Sequence, residues 1–481
     1  MSQPNNEIST TIKLYNSYTR NLEPLIPLTP GQIGLYCCGP TVYNFQHIGN
    51  FKTFIFEDIL VRALRFAGLN VKHVMNITDV GHLVGDGEDG EDKMLVAMRR
   101  EKKKSFEIAE FYTNKFFEDW DKLNLCRPTI VCKATDHIKE MIALIQRIEA
   151  NGFAYVSGGN VYFDVSKFEN YGKLALLDRE TLKAGARIDV DTNKKNPHDF
   201  VLWFTKSKFE NQELQWESPW GVGYPGWHIE CSAMAIRHLG ERVDIHCGGI
   251  DHIPVHHTNE IAQSEAATTK PWVNIWMHSE FLLVNNEKMA KSKGSFFVLD
   301  DLISQGFEPL AYRMLCLSAH YKAQLNFNLE ALENSKRTLE KIRQNVEKLQ
   351  NNNDAAILNK VELQKIPETA TYLNSFSKAI LNDLNTPQAL AVLWEVLNNK
   401  ELSQQNALSL VYLFDDIFGL KLAEWKVATV EISQDLQELL NGRELARQNK
   451  DWKKADELRA LLLDKGYEIR DSASGPVLKK I

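Results

Sequence analysis

The sequence predicts an α/β protein in which a parallel sheet with crossover helices is split by an insertion and followed by an all-α region. Three observations carry this. Residues 31–150 alternate short apolar runs with helix-like stretches, residues 151–222 break that alternation, and from about Asn326 the apolar positions fall at helical spacing. A strand, a helix and a second strand in that order form a βαβ unit, which pairs its strands in parallel.

Ile33–Cys37 reads as the first strand. Gly49–Ala67 reads as a helix with Phe51, Phe54, Phe56, Ile59 and Leu60 on or near one face, and Val71–Ile77 as the second strand. Open α/β sheets bind ligands beyond the carboxyl ends of their strands, where Cys38, Gly39 and His47 stand. "AYVSGGNVYFDVSKF" reads as a hairpin and "DTNKKNPHDFVLWFTKSK" as a polar loop entering a strand, so 131–222 is the insertion. The α/β pattern resumes at Trp227, with "VDIHCGGID" and "WVNIWMHSEFLLV" as further strands. Leu332, Leu339, Ile342, Val346 and Leu349 then follow steps of three, four and seven until "NNND" breaks the helix. "GRELARQNKDWKKADELRALLLDKGYEIRD" reads as a basic amphipathic helical hairpin. The chain thus divides into 1–130, 131–222, 223–325, 326–425 and 426–481.

A net charge of −7 means that no global basic field announces nucleic acid, although a local basic face can serve that purpose. No apolar run approaches the ~18 residues of a membrane helix, and the polar start lacks a signal-peptide core, so no membrane partner is expected. Seven thinly spread cysteines, an odd count, do not make a disulfide framework. They fit a reducing, cytoplasmic setting in which a special cysteine serves a metal or chemistry. A monomer is the default expectation.

Two kinds of site are foreshadowed. Cys38, Cys231, His256 and Glu260 are all competent metal ligands, and His256 and Glu260 stand at i, i+4 on one helical face. Each alone also reads as an ordinary buried residue. Cys37 and His257 are rival neighbours, but adjacent strand residues face opposite ways, so Cys37 and Cys38 do not readily reach one ion. For phosphate, His47-Ile-Gly49-Asn50 sits where a loop enters a helix, a position suited to anions or simply to a helix cap. Lys288 and Lys291 lie three apart in KMAKSKG and can neutralise charge building on a phosphoryl group, or can merely be solvated. "GVGYPG" matches a dinucleotide fingerprint only formally, because it follows no apolar strand and Pro225 removes a donor. The acidic "GDGEDGEDKM" lacks calcium-loop spacing.

Taken in order, CGPTVY with HIGN, GWHIECSAM, HHTNEIAQSEA and KMAKSKG resemble the class I aminoacyl-tRNA synthetases, and within them the cysteinyl-tRNA synthetases. The similarity runs along nearly the whole chain. It implies a Rossmann-type catalytic domain split by a connective domain that meets the tRNA acceptor end, then a helical bundle and an anticodon-binding end. It implies L-cysteine, ATP and tRNA(Cys) as substrates, Zn²⁺ on Cys38, Cys231, His256 and Glu260, and Mg²⁺ with the ATP. Cys37 then packs. Gly39, Thr41, Thr78 and Trp227 would meet the amino acid. His47, Gly49, Asn50, Gly249, Asp251 and Lys291 would meet ATP, with His47, Asn50, Lys288 and Lys291 catalytic. A substrate thiolate binds such an ion far better than a serine hydroxyl, whereas pocket size alone discriminates by only ~1–3 kcal/mol.

Three positions depart from the family pattern. Asn50 replaces the second histidine of the HIGH signature, and a modest rate effect is expected. Ala290 replaces the first serine of KMSKS while both lysines stay. Gly475 at the chain end is not followed by the expected tryptophan, which bears on the anticodon contact. A related ligase that joins cysteine to an amino-sugar inositol would share the zinc and adenylation features. The basic hairpin with Arg443, Arg447, Lys450, Lys453, Lys454 and Arg459 favours tRNA instead. A zinc-stabilised RNA-binding protein without catalysis would have no need of the two-lysine loop.

Overall fold

The computed structural model describes residues 11–80, 93–177, 192–206, 213–288, 296–350, 355–425, 434–472 and 475–480. A hairpin of β1 (Lys13–Asn16) and β2 (Asn21–Pro24) precedes the first strand of the main sheet, β3 (Gln32–Cys37). Helix α1 (Ile48–Phe66) crosses to β4 (Asn70–Ile77), and α2 (Lys93–Glu101) and α3 (Ser105–Lys122) lead to β5 (Ile130–Lys133). After α4 (Ile138–Ala150), strands β6 (Ala154–Ser157), β7 (Asn160–Phe163), β8 (Phe200–Phe204) and β9 (Tyr224–Pro225) form a separate four-stranded antiparallel sheet. The chain returns through α5 (Trp227–Leu239), β10 (Val243–Gly249), α6 (Thr258–Thr268) and β11 (Val273–Ser279).

The main sheet has the order β11-β10-β3-β4-β5, with every pair parallel. Strand order reverses between β3 and β10, so the loops leaving those strands diverge and open a crevice. Both sheet faces are covered, as parallel sheets require. Ile33, Leu35 and Cys37 face the α1 side with Met75, Ile245 and Cys247, whereas Tyr36, Cys38 and Val74 face the α5–α6 side with Cys231 and Trp276. The two cysteines therefore stand on opposite faces, as the two-residue period of a strand demands.

Past the sheet, β12 (Leu282–Val284) pairs with β13 (Glu287–Lys288) and with β14 (Leu325–Phe327), and α7 (Leu299–Ser304) and α8 (Pro309–Leu317) lie between. Helix α9 (Leu329–Gln350) buries Leu332, Leu339, Ile342 and Val346, the stripe its spacing foretold. It packs with α10 (Lys360–Lys365), α11 (Pro367–Ile380), α12 (Thr386–Asn398) and α13 (Gln404–Phe418), where Phe376 stacks on Phe414 at 3.9 Å between centroids. The basic hairpin is α14 (Gln434–Gln448) and α15 (Trp452–Asp464), which begins and ends earlier in the chain than its sequence suggested. Gly466, at φ 84°, ends it, and Tyr467–Ser472 forms strand β15 paired with β16 (Gly475–Lys480). The alternation of Tyr467 and Ile469, which pack beside buried Leu478, outweighs the helical tendency there.

One buried cation joins the catalytic sheet to the helical bundle. Arg313 on α8 is fully enclosed and donates to Phe418 O at 2.5 Å, to Leu123 O at 3.1 Å and to Asp58 Oδ2 at 2.5 Å. Asp58, also fully buried at its side chain, accepts as well from Arg62 at 2.8 Å and from the Cys126 amide at 2.7 Å. Despite burial, Arg313 and Arg62 hold the Asp58 carboxyl below its ordinary range. Removing one member strands the other charge. Arg313→Ala should therefore cost about 3–5 kcal/mol in urea unfolding, and Arg313→Met with Asp58→Leu should recover part of it.

His73 on β4 is 1 % exposed, and neither ring nitrogen has a hydrogen-bond partner among the described residues. Burial pushes its pKa down to about 4 from an ordinary 6.5. Between those values the unfolded chain takes up a proton that the folded chain refuses, so stability falls as the pH drops. The loss at pH 5 relative to pH 7.5 should be about 2 kcal/mol. Urea titrations at the two pH values should show that increment shrink in His73→Leu.

Candidate active site and metal centre

Three segments deliver the metal candidates. Cys38 follows β3, Cys231 lies in the second turn of α5, and His256 and Glu260 span the junction between a one-turn π-type helix, Ile253–His257, and α6. All four side chains are buried, and their ligand atoms lie within 4.8 Å of one another. His256 Nε2 stands 3.1 Å from Glu260 Oε1, while its Nδ1 meets His228 Nδ1 at 2.8 Å. A ligating imidazole characteristically has such a partner on its second nitrogen. The other Glu260 oxygen meets His246 Nε2 at 2.9 Å.

The donor set suits a cation. Burial above all, then hydrogen bonding to Cys231 and proximity to it and to Glu260, pushes the Cys38 thiol well up. Two thiols and a carboxylate without solvent cannot all ionise unless positive charge is supplied, and a divalent ion supplies it. Cys37 takes no part: it is fully buried on the opposite face, beside Cys247 and Glu57. His257 is brought into a second cluster, with Cys38, His246 and Glu260.

Around the cluster the substrate candidates converge. Trp227 opens α5, and its ring centroid is 5.4 Å from that of His256. The Gly39 amide donates to Asn76 Oδ1 at 2.8 Å, and a Cβ on Gly39 would fall 1.8 Å from Asn76 O, so only glycine fits. Thr41 bridges Thr78, tying the loop after β3 to the end of β4. Thr78 Oγ1 donates to Glu230 Oε2 at 3.0 Å. Glu230, His228 and His246, all 8 % exposed or less, are polar members of this site that the sequence reading did not single out. Glu230 and His228 lie inside GWHIEC, where their place in the motif was the available signal.

On the α1 side, His47 caps the helix: its Nδ1 accepts from the Asn50 amide at 3.0 Å, and Asn50 Oδ1 accepts from the His47 amide at 3.2 Å. The cap reading of His47–Asn50 is thus the one that this geometry bears out. A Cβ on Gly49 would sit 3.7 Å from Leu282 Cβ, placing the helix start against β12. Gly249 ends β10, and Asp251 lies in the 3₁₀ turn Ile250–His252. A Cβ on Gly249 would lie 3.9 Å from Thr53 Oγ1, so the β10 end adjoins the first turns of α1. Lys288 contributes backbone to β13, and Lys291 and Ala290 lie outside the described residues. The ring of Phe296 meets that of His47 at 5.5 Å between centroids, while Ile48 donates to Phe297 O at 2.9 Å. Phe296 and Phe297, which follow the lysine segment in the sequence, thus lie against the α1 N-terminus.

Opposite faces give the two adjacent cysteines opposite tests. Cys38→Ala should lower bound metal at least tenfold, as measured by elemental analysis after dialysis. Cys37→Ala should keep the metal and cost about 1 kcal/mol in urea unfolding.

Residues 24–337 match the model of the class I (C) tRNA synthetase catalytic domain, and residues 429–475 match the cysteinyl-tRNA ligase anticodon binding domain. The cysteine–tRNA ligase of Treponema denticola is 50 % identical, covering 98 % of this chain and 100 % of the relative. That of Borrelia hermsii is 41 % identical, covering 98 % and 99 %. Among solved structures, a Mycobacterium tuberculosis methionyl-tRNA synthetase in complex with methionyl-adenylate shares the fold, with a TM-score of 0.54 at 15 % identity over 81 % of this chain and 90 % of that one. With near-complete coverage at such identity, and with both domain models matched in order, the chain belongs to the cysteine–tRNA ligases of the class I aminoacyl-tRNA synthetase family.

Proposed function

We propose that the chain selects L-cysteine through Zn²⁺ held by Cys38, Cys231, His256 and Glu260, activates it with Mg²⁺–ATP, and charges tRNA(Cys). The observation that carries this reading is the convergence of two thiols, an imidazole and a carboxylate, all buried, beside Trp227. When bound, zinc supplies an affinity for thiolate that a hydroxyl does not match, which exceeds what pocket size alone provides. Trp227 walls the pocket. Gly39, Thr41 and Thr78 position the backbone around the amino acid, and Glu230 accepts from Thr78.

No protein nucleophile is needed. The cysteine carboxylate attacks the α-phosphorus of ATP and expels diphosphate, forming cysteinyl-adenylate. A terminal ribose hydroxyl of the tRNA then attacks the carbonyl carbon and AMP leaves. His47, Gly49 and Asn50 border the phosphates, Gly249 and Asp251 the ribose, and Lys288 and Lys291 counter the charge that builds on the transferring phosphoryl group. The helical segments after Asn326 and the basic α14–α15 hairpin would carry the tRNA. Reduced cysteines support a cytoplasmic setting, and a monomer suffices for each of these roles.

Two measurements test the proposal. Labelled L-cysteine should become acid-precipitable with tRNA, ATP and Mg²⁺; cysteine-dependent diphosphate exchange without charging would point to a small-molecule acceptor instead. In exchange assays Cys231→Ala should lower kcat/KM for cysteine about 100-fold or more and leave the weak activity with serine within about threefold. Lys291→Ala should lower kcat about 100-fold while KM for cysteine stays near its original value.

A further inference from the structure

We propose that the metal pocket contains a second, inner seat for one divalent ion, formed by Cys38, His246, His257 and Glu260 and overlapping the seat described above. The ligand atoms of this set also lie within 4.8 Å of one another. Cys38 Sγ is 3.3 Å from His257 Nε2 and 3.9 Å from Glu260 Oε1, and His257 Nε2 is 3.9 Å from Glu260 Oε1. His246 Nε2 is 2.9 Å from Glu260 Oε2. Tetrahedral zinc with bonds of ~2.0–2.3 Å separates its ligands by about 3.3–3.8 Å, close to this spacing.

The surroundings hold both imidazoles in place, although His246 Nδ1 itself has no hydrogen-bond partner among the described residues. His257 Nδ1 meets His278 Nε2 at 2.8 Å, the outer partner expected of a ligating imidazole. Trp276 stacks on His246 at 4.5 Å between centroids, fixing the ring plane. His246, His257 and Glu260 have no exposure. Charge separates the two seats. Two thiolates and a carboxylate leave the outer complex at −1, whereas one thiolate and a carboxylate with two neutral imidazoles make the inner complex neutral. A neutral complex is the easier one to keep without solvent. The outer seat adjoins Trp227 through His256, so only there does the ion reach a substrate thiol. Cys38 and Glu260 stay ligated in both seats, and the ion passes between them by exchanging two ligands.

The test uses the full chain loaded with Co²⁺, whose thiolate charge-transfer absorption grows with the number of sulfur ligands. C231A/H256A should keep about one cobalt per chain, with about half the charge-transfer intensity of the unsubstituted protein. Adding H246Q should weaken binding at least tenfold. A folded C231A/H256A chain that binds no cobalt overturns the inner seat, as does a triple variant that binds as tightly as the double. If the alanine pair fails to fold, the volume-preserving C231S and H256Q, made singly, must each retain cobalt within about tenfold; loss in either refutes the inner seat. Failure of the unsubstituted protein to bind cobalt would overturn the zinc reading as well, so the two are told apart.

Discussion

A carboxylate without solvent sits at the centre of this molecule. Glu260 has no exposure, and within 3.9 Å of its oxygens lie His246, His256, His257 and Cys38. An isolated buried carboxylate costs several kcal/mol, so the fold must bring donors or a cation to it. The ends of β3 and β10, the N-terminal part of α5 and the π-type turn before α6 all deliver groups to this point. The parallel pairing of β3 with β10 brings the segments together.

The second organising charge, Arg313, works at a distance from the chemistry. It ties α1, which begins at His47, to the chain after α3 and to the end of α13. The helix that begins at His47 is thereby fixed to the bundle proposed to carry the tRNA. Gly419, at φ 64°, completes the joint, since a Cβ there would fall 2.7 Å from Arg313 Nη2.

Much of this was legible in the sequence for local reasons. The period-two alternation that marks β3 also assigns Cys37 and Cys38 to opposite faces, and the three-to-four spacing marks the buried stripe of α9. The cluster of Cys38, Cys231, His256 and Glu260 was readable because cysteine, histidine and glutamate are chemically conspicuous within recognisable motifs. Other features resisted a linear reading. His246 becomes a potential ligand only when β10 brings its ring to within 4.5 Å of that of His257 between centroids, which no spacing encodes. Arg313 reads as one more charged residue in an apolar helix until three elements close around it. The strand at Tyr467 was hidden because six residues after a helix carry too short a pattern to outweigh the helix before it.

The insertion has a consequence in time. Cys38 and Glu260 are 222 residues apart in the chain. At ~5–20 residues per second of synthesis, the first thiol waits roughly 10–45 s before its carboxylate partner exists. Throughout that interval the nascent chain carries one of its two adjacent thiols on the open face of an unfinished sheet. Cys37 is covered early, because α1 follows at once and covers its face; Cys38 stays open to oxidants and stray metal until α5 and α6 arrive. The order of synthesis thus separates two adjacent thiols in time: one is packed almost as soon as it is made, and the other waits for more than half of the remaining chain.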